Sequence, residues 1–321
     1  MDLLVRGIRG DDLAACVPLL PGLALYRERD LIAWQAMWSE VVDSGAGFGC
    51  VMVDAQVPAR CLAFGAAGFV SDERAERMHA LETAGVMVAM TREYGTGSSP
   101  FLGVEPVAAG NAGDGLNLVA ISGFGEIDEA GEQKLMLALL DDFRGRVGGF
   151  RVKSLFNECY RESLRAVAPA MMLPVREYSL ETVRAAQIPI EHAPFVISSR
   201  ITDTSFEQRS FLLSLYYNYS PPRFGFTLAE QRALRLAIEG LTDEEVASIL
   251  STSLAIVKKR FRSVYQKVLD APGAPVIPHA EKQSGPRGPE LRRHLIAYLR
   301  DHPQELAPYE FRRAKSRDAT G

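Results

Sequence analysis

Only four cysteines occur in the 321 residues, and Cys16, Cys50, Cys61 and Cys159 never stand at CxxC spacing. Each lies in an apolar stretch, which reads as reduced core thiols rather than metal ligands. The five histidines, His79, His192, His279, His294 and His302, show no metal-ligand spacing, so no metal site is expected. Walker loop, nucleophile elbow and a recognisable His/Asp/Ser set are all missing; no catalytic residue is assigned, no cofactor is implied, and the chain is read as not an enzyme. No apolar run approaches the roughly 20 residues that cross a bilayer, and the opening MDLLVRGIRGDDLAACV lacks the apolar core of a secretion signal. Those absences predict a cytoplasmic protein without a membrane partner.

Positive charge is also scarce overall, with a formal net charge of −4. Its distribution is uneven. From Pro222 onward there are 17 Lys and Arg against 12 Asp and Glu, or +5, which leaves 19 against 28, or −9, before it. An acidic first part and a basic last part suit a chain whose two ends have different partners. The length suits about two domains, and a hydrophobic content of 47% allows each a core.

Along the first part, apolar alternation and capping residues predict strands at 3–8, 50–53, 61–70, 116–121, 151–156 and 176–180, with helices at 11–20, 30–42, 72–79, 130–143 and 158–168. This alternation predicts a mixed α/β sheet ending near Thr182. The glycine-rich stretches GTGSSP and NAGDG are read as turns. Trp34 and Trp38, one helical turn apart, are read as core, with a ligand cavity as the alternative. An aromatic helical segment follows, carrying Phe206, Phe211, Leu212, Leu215, Tyr216 and Tyr219, and Ser220-Pro221-Pro222 ends it.

The most specific signal is FTLAEQRALRLAIEGLTDEEVASILSTSLAIVKKRFRSVYQKV, residues 226–268. Thr227 with Glu230 and Thr242 with Glu245 each form a Ser/Thr-x-x-Glu capping box, marking two helix starts fifteen residues apart. Gly240 supplies the left-handed residue between them, and Ser253 is a candidate N-cap for a third helix. In that third helix Val257, Phe261, Val264 and Tyr265 form one apolar face, which leaves Lys258, Lys259 and Arg262 projecting from the other. The segment resembles the LuxR/FixJ (GerE)-type helix-turn-helix of bacterial transcription regulators. Matching positions include Thr227, Glu230, Leu234, Gly240, Glu245, Ala247, Leu250, Ser253, Val257, Lys258 and Lys267; Ile256 and Arg260 depart from the usual threonine and histidine. The resemblance implies that the helix over 254–268 lies in the major groove of double-stranded DNA, with Ser253, Lys258, Lys259, Arg260, Arg262 and Lys267 as the DNA-binding residues. The bland alternative is a helical hairpin with a solvated basic face.

The first 180 residues loosely resemble the acyl-CoA N-acyltransferase (acetyltransferase) fold. That resemblance places a coenzyme A pyrophosphate loop at SGFGEIDEAGEQ, where Gly123 and Gly125 are present but Glu126, Asp128, Glu129 and Glu132 would repel a pyrophosphate. It aligns Asn157 with a frequent asparagine, sets Tyr160 earlier than the usual general-acid tyrosine, and finds Met171-Met172-Leu173 in place of Gly-Phe.

The sequence therefore predicts an α+β chain: an acetyltransferase-like α/β domain over 1–182, sensory or structural; a linker with an aromatic helix over 183–222; an all-α helix-turn-helix domain over 223–270; and a Pro/Gly linker, a C-terminal helix near 289–300 and a basic tail over 271–321. The expected function is sequence-specific transcriptional regulation as a homodimer, with an unidentified small-molecule effector as a further partner. The alternatives are an acyl-CoA-dependent N-acetyltransferase tethered to DNA, and a protein-interaction adaptor with a degenerate helix-turn-helix.

Overall fold

Mostly apolar runs such as those at Phe48–Asp54 and Leu116–Phe124 suit strands covered on both faces, and both are buried almost throughout. In the computed structural model, which describes residues 3–126, 128–170, 173–202, 217–271 and 288–311, they lie inside one seven-stranded sheet. Its strands are β1 (Leu3–Gly7), β2 (Phe48–Asp54), β3 (Val57–Val70), β4 (Leu116–Phe124), β5 (Val152–Cys159), β6 (Val175–Glu177) and β7 (Phe195–Arg200), in the order β1-β2-β3-β4-β5-β7-β6. Every neighbouring pair is antiparallel except β4 and β5. Parallel neighbours need a crossover, and here it is α6 (Glu129–Val147).

Helices cover both faces. On one face α1 (Leu13–Cys16), α2 (Glu28–Ser44), α3 (Asp72–His79) and α4 (Val86–Gly95) close over Phe64, Val119, Ile121 and Phe156. Trp34 and Trp38 are fully buried there, and the Trp34 ring meets Phe64 edge-on at 5.7 Å, so the tryptophan stripe is core. On the other face α5 (Val104–Ala112), α6 and α7 (Glu162–Ala170) pack against Phe69, Leu118 and Cys50. The short α8 (Leu180–Ala185) leads into β7.

Two expectations change. The sheet does not end near Thr182, because β7 inserts between β5 and β6 and pairs Phe195 with Cys159 and with Glu177. Second, α4 and α5 are helices that the sequence reading does not place; the glycine-rich stretches beside them turn as expected at Thr96–Gly97 and Gly113–Asp114, and Asn111, near the end of α5, accepts from Arg151 N at 2.8 Å and donates to Pro308 O at 2.7 Å.

The C-terminal part is helical: α9 (Leu228–Ile238), α10 (Asp243–Ile249), α11 (Leu254–Asp270) and α12 (Gly288–Asp301) surround Leu234, Val246, Val257, Phe261 and Leu295. Both capping boxes form, and the Ser253 hydroxyl accepts from Ile256 N. Gly240 at φ 90 permits the first reversal, while Ser251 holds the second at φ 48. Most of the aromatic segment (203–216), most of the Pro/Gly linker (272–287) and the basic tail beyond Phe311 lie outside the described residues.

The last described stretch joins the two parts. Leu306 packs in the helical core and Ala307 in the sheet core. Glu305, fully buried, accepts from Arg223 N and Phe224 N, and Gln231 donates to Ala307 O at 2.8 Å. Glu239 of the helical part completes the seam by accepting from Gly7 N at 2.9 Å and from Arg9 at 3.0 Å. Among the described residues no helix is long and apolar enough to cross a membrane.

Candidate functional site

On a helix that turns 100° per residue, Val257, Phe261, Val264 and Val268 fall in one narrow arc, and all four are buried on α11. Lys258, Lys259 and Arg262 occupy an adjoining outer arc, and all three are exposed in the full chain. The sheet domain leaves that face open. Ser253 sits at the start of the same helix, where its oxygen serves as the cap.

The two remaining expected DNA contacts are placed differently. Arg260 is half-buried and lies about 100° beyond Lys259, off the shared arc. Lys267 is engaged internally: its Nζ donates to Glu230 at 2.7 Å and to Gly225 O at 2.9 Å. Burial alone would raise the Glu230 pKa, but hydrogen bonds from Lys267, Ser263 and Thr227 N outweigh it and hold the carboxyl below its ordinary value. Lys267 therefore ties α11 to α9 and belongs to the core of the module, not to its outer face.

A second arrangement lies in the sheet. β4 and β5 pair from Leu116 and Val152 as far as Ala120 and Asn157, where their pairing ends. Each strand nevertheless continues on its outer side, β4 against β3 to Phe124 and β5 against β7 to Cys159. The two strands thus part at the middle of the sheet, leaving backbone groups of both without a ladder partner across the gap.

Glu158 stands at this parting, buried, with Oε1 accepting from Gly85 N and Tyr178 Oη at 2.8 Å each. Tyr160 Oη reaches Oε2 at 3.4 Å. Burial pushes the Glu158 carboxyl up to about 7, although these donors pull it the other way. Both phenols are raised in turn by burial and by the neighbouring carboxylate charge. The cavity beside Glu158, walled by Pro21, Tyr26, Met87 and Ile121, holds about 10 Å³, room for one water. On the opposite face a cavity of about 100 Å³ opens between α6 and α7, lined by Ala120, Ser122, Leu139, Phe143, Asn157 and Leu164. Asn157 Oδ1 is buried there without a hydrogen-bond partner.

The sequence reading does not single out Glu158, because it ends the strand at Phe156, nor the part played by Tyr178, because its bond to Glu158 spans 20 residues. The available signal was a carboxylate inside the otherwise apolar run SLFNEC, a residue type almost never fully buried without a purpose.

Coenzyme A does not fit the residues present. The N-terminus of α6, where a diphosphate would bind, is already capped by Asp128, which accepts from Gly131 N at 2.9 Å. Glu129 follows, and Glu132 is paired with Arg161 at 2.9 Å and bonded to Ser163. This carboxylate cluster opposes the anion that a bare helix N-terminus would attract.

No family model and no curated protein matches the chain. Among solved structures it is similar to an agmatine N-acetyltransferase (14% identity, TM-score 0.37), covering 62% of this chain and 100% of that one. It is similar to a Drosophila melanogaster polyamine N-acetyltransferase that forms N-acetylagmatine (12%, TM-score 0.37), with the same coverage. A third is the C-terminal condensation domain of Ebony in complex with beta-alanyl-dopamine (11%, TM-score 0.37), covering 63% of this chain and 100% of that one. The expectation that the chain is not an enzyme is not borne out, since the solved structures it is similar to include N-acetyltransferases. The chain as a whole is α+β, a seven-stranded mixed sheet covered by helices, with further helices at the C-terminal end.

Proposed function

We propose that the chain reads double-stranded DNA with α11, as a LuxR/FixJ-type regulator acting as a homodimer on a two-fold site. The observation that carries this reading is the division of α11 into a fully packed inner arc and an outer arc whose Lys258, Lys259 and Arg262 are exposed in the full chain. A helix so divided can enter a major groove without disturbing its scaffold, its cations neutralising phosphates and reaching base edges. Ser253, at the leading end of the helix, retains an O–H that can donate to a phosphate while its oxygen caps the helix.

Binding of the full chain to a pool of genomic fragments, at several salt concentrations, tests the reading. One enriched site with affinity falling steeply as salt rises is the expected result. Lys258→Ala combined with Arg262→Ala should remove the site preference and reduce the salt slope by about 2 while leaving thermal unfolding unchanged. Retained specific binding in that variant would sink the docking geometry.

One observation favours a second activity, in the sheet domain. Glu158, titrating near 7 where β4 and β5 part, is suited to take the proton that an amine loses when its nitrogen attacks an acyl carbon. The apolar cavity behind Asn157 suits the uncharged arm of an acyl donor, and the carboxylates at the start of α6 disfavour a donor bearing a diphosphate there. Acyl transfer from a short-chain thioester to a polyamine, followed across the neutral pH range, checks this. A rate that rises through about pH 7 and is lost in Glu158→Gln supports it, whereas equal rates in both proteins would remove Glu158 from the chemistry.

A further inference from the structure

A cavity of about 410 Å³ lies in neither arrangement above but between the sheet and the helical part. That volume falls in the range of small-molecule sites. Its walls come from β1 and β2, from α2 and α6, from α9 and α10, and from α12 and the segment that follows it.

Five arginines line it: Arg9, Arg146, Arg232, Arg235 and Arg300. Three carboxylates share the walls, and each is committed. Asp142 holds Arg146 in a two-point pair at 2.7 and 3.0 Å. Glu239 holds Arg9 and Gly7 N, and Asp43 accepts from the Ser39 hydroxyl at 2.7 Å. Arg232 and Arg235 are left without a carboxylate among the described residues. The partner shown for Arg235 is a neutral one, Leu306 O at 2.6 Å, and the Arg232 Nε is buried with none. Arg9 Nε is buried and without a partner as well.

A guanidinium withdrawn from water without a counter-charge is costly, and two side by side repel each other as well. The strain registers on Arg235, which burial, then Arg146 and Arg232, push down to about 10. The walls thus carry more positive than negative charge. Beside the guanidinia the lining is apolar and includes Phe48, Phe150, Leu236 and Leu299.

We propose that this interdomain cavity binds a small organic anion, its carboxylate or phosphate oxygens held by Arg232 and Arg235 and its apolar body packed against Phe48, Phe150 and Leu236. Planar guanidinia recognise either group through paired N–H donors. A ligand here touches both parts at once, since Ile8 and Gly49 come from the sheet side and Ile249 and Leu250 from the end of α10, next to the turn that sets α11. Its binding energy would therefore bias the packing of the helical part on the sheet. The site stands on its own residues and does not depend on what α11 binds.

Calorimetric titration of the full chain with pyrophosphate, octanoate and 8-anilinonaphthalene-1-sulfonate, with octanol as the uncharged control, tests the proposal. The expected result is saturable one-site binding of at least one anion and none of octanol. Pyrophosphate as the binder identifies a phosphate ligand, and octanoate or the sulfonate an amphipathic acid. Arg235→Met should weaken binding at least tenfold. Gly145→Leu is the second variant: a Cβ placed on Gly145, inside α6 and on the cavity wall, meets no atom within 4 Å, so the larger side chain fills the space while leaving all five arginines in place. It too should abolish binding, and it decides the question if Arg235→Met does not fold. No saturable binding by any anion, or equal binding in Gly145→Leu, overturns the proposal.

Discussion

Glu158 in the sheet and Glu230 in the helical part are both buried carboxylates, at 9% and 4% exposure, yet they titrate in opposite directions. Burial raises both, but Glu158 lies deeper in the protein interior, and only Glu230 has a cation beside it to pull the other way. Glu230 faces Lys267, whereas Glu158 faces two phenols and backbone N–H groups. At Glu158 the neutral donors do not offset the desolvation, whereas at Glu230 the Lys267 ion pair together with the Ser263 and Thr227 donors does. Glu230 is thus compensated, while Glu158 in the sheet and Glu305 at the seam are raised by burial, and among the described residues the seam leaves Arg232 and Arg235 without a carboxylate.

The comparison breaks most completely if a new unpaired charge is put into the helical core. Val257 is fully buried, so Val257→Asp should cost about 4 kcal/mol or more and abolish the cooperative unfolding of α9–α12, seen in denaturant titration. A smaller effect comes from pH. With a folded pKa of about 7 against an ordinary 4.5, Glu158 binds its proton more tightly when folded. Its stabilising contribution is therefore present below pH 4.5 and is lost as pH rises through about 7, by roughly 3 kcal/mol. Glu158→Gln should flatten that part of the stability profile. Glu230, with its pKa lowered, contributes the opposite slope, losing stability as pH falls through its folded pKa.

Next in size, Lys267→Met removes the cation from Glu230. Because the lysine side chain is 30% exposed, a loss of about 2 kcal/mol is expected, below that of a fully buried pair, and the Glu230 pKa should then rise as Glu158's does. A carboxyl resonance followed by NMR checks the shift; a Glu230 that still titrates low would show that the Ser263 and Thr227 donors suffice. Smallest is Thr242→Ala, which removes one capping bond from exposed Glu245 N and should cost about 1 kcal/mol in thermal unfolding.

Legibility followed the range of the interactions. Each helix start from α9 to α11 is set by a side chain bonding three residues ahead, so Thr227, Thr242 and Ser253 announced them in order. β7 announced itself poorly, because FVISSR becomes a strand through partners on β5 and β6 that lie far along the chain. The basic face of α11 was legible in its 3.6-residue spacing. The removal of Lys267 from that face was not, since Glu230 lies 37 residues away.

By itself the sequence determined the helical module, its caps, its turns and the face on which Lys258, Lys259 and Arg262 stand, all consequences of neighbours within one or two helical turns. Only the tertiary structure decided that β4 and β5 part at Ala120 and Asn157, that Glu158 meets Tyr178 at the gap, and that arginines from both parts of the chain converge on one cavity. The physical reason is that desolvation and Coulomb energies depend on distance in space, which a one-dimensional pattern does not contain.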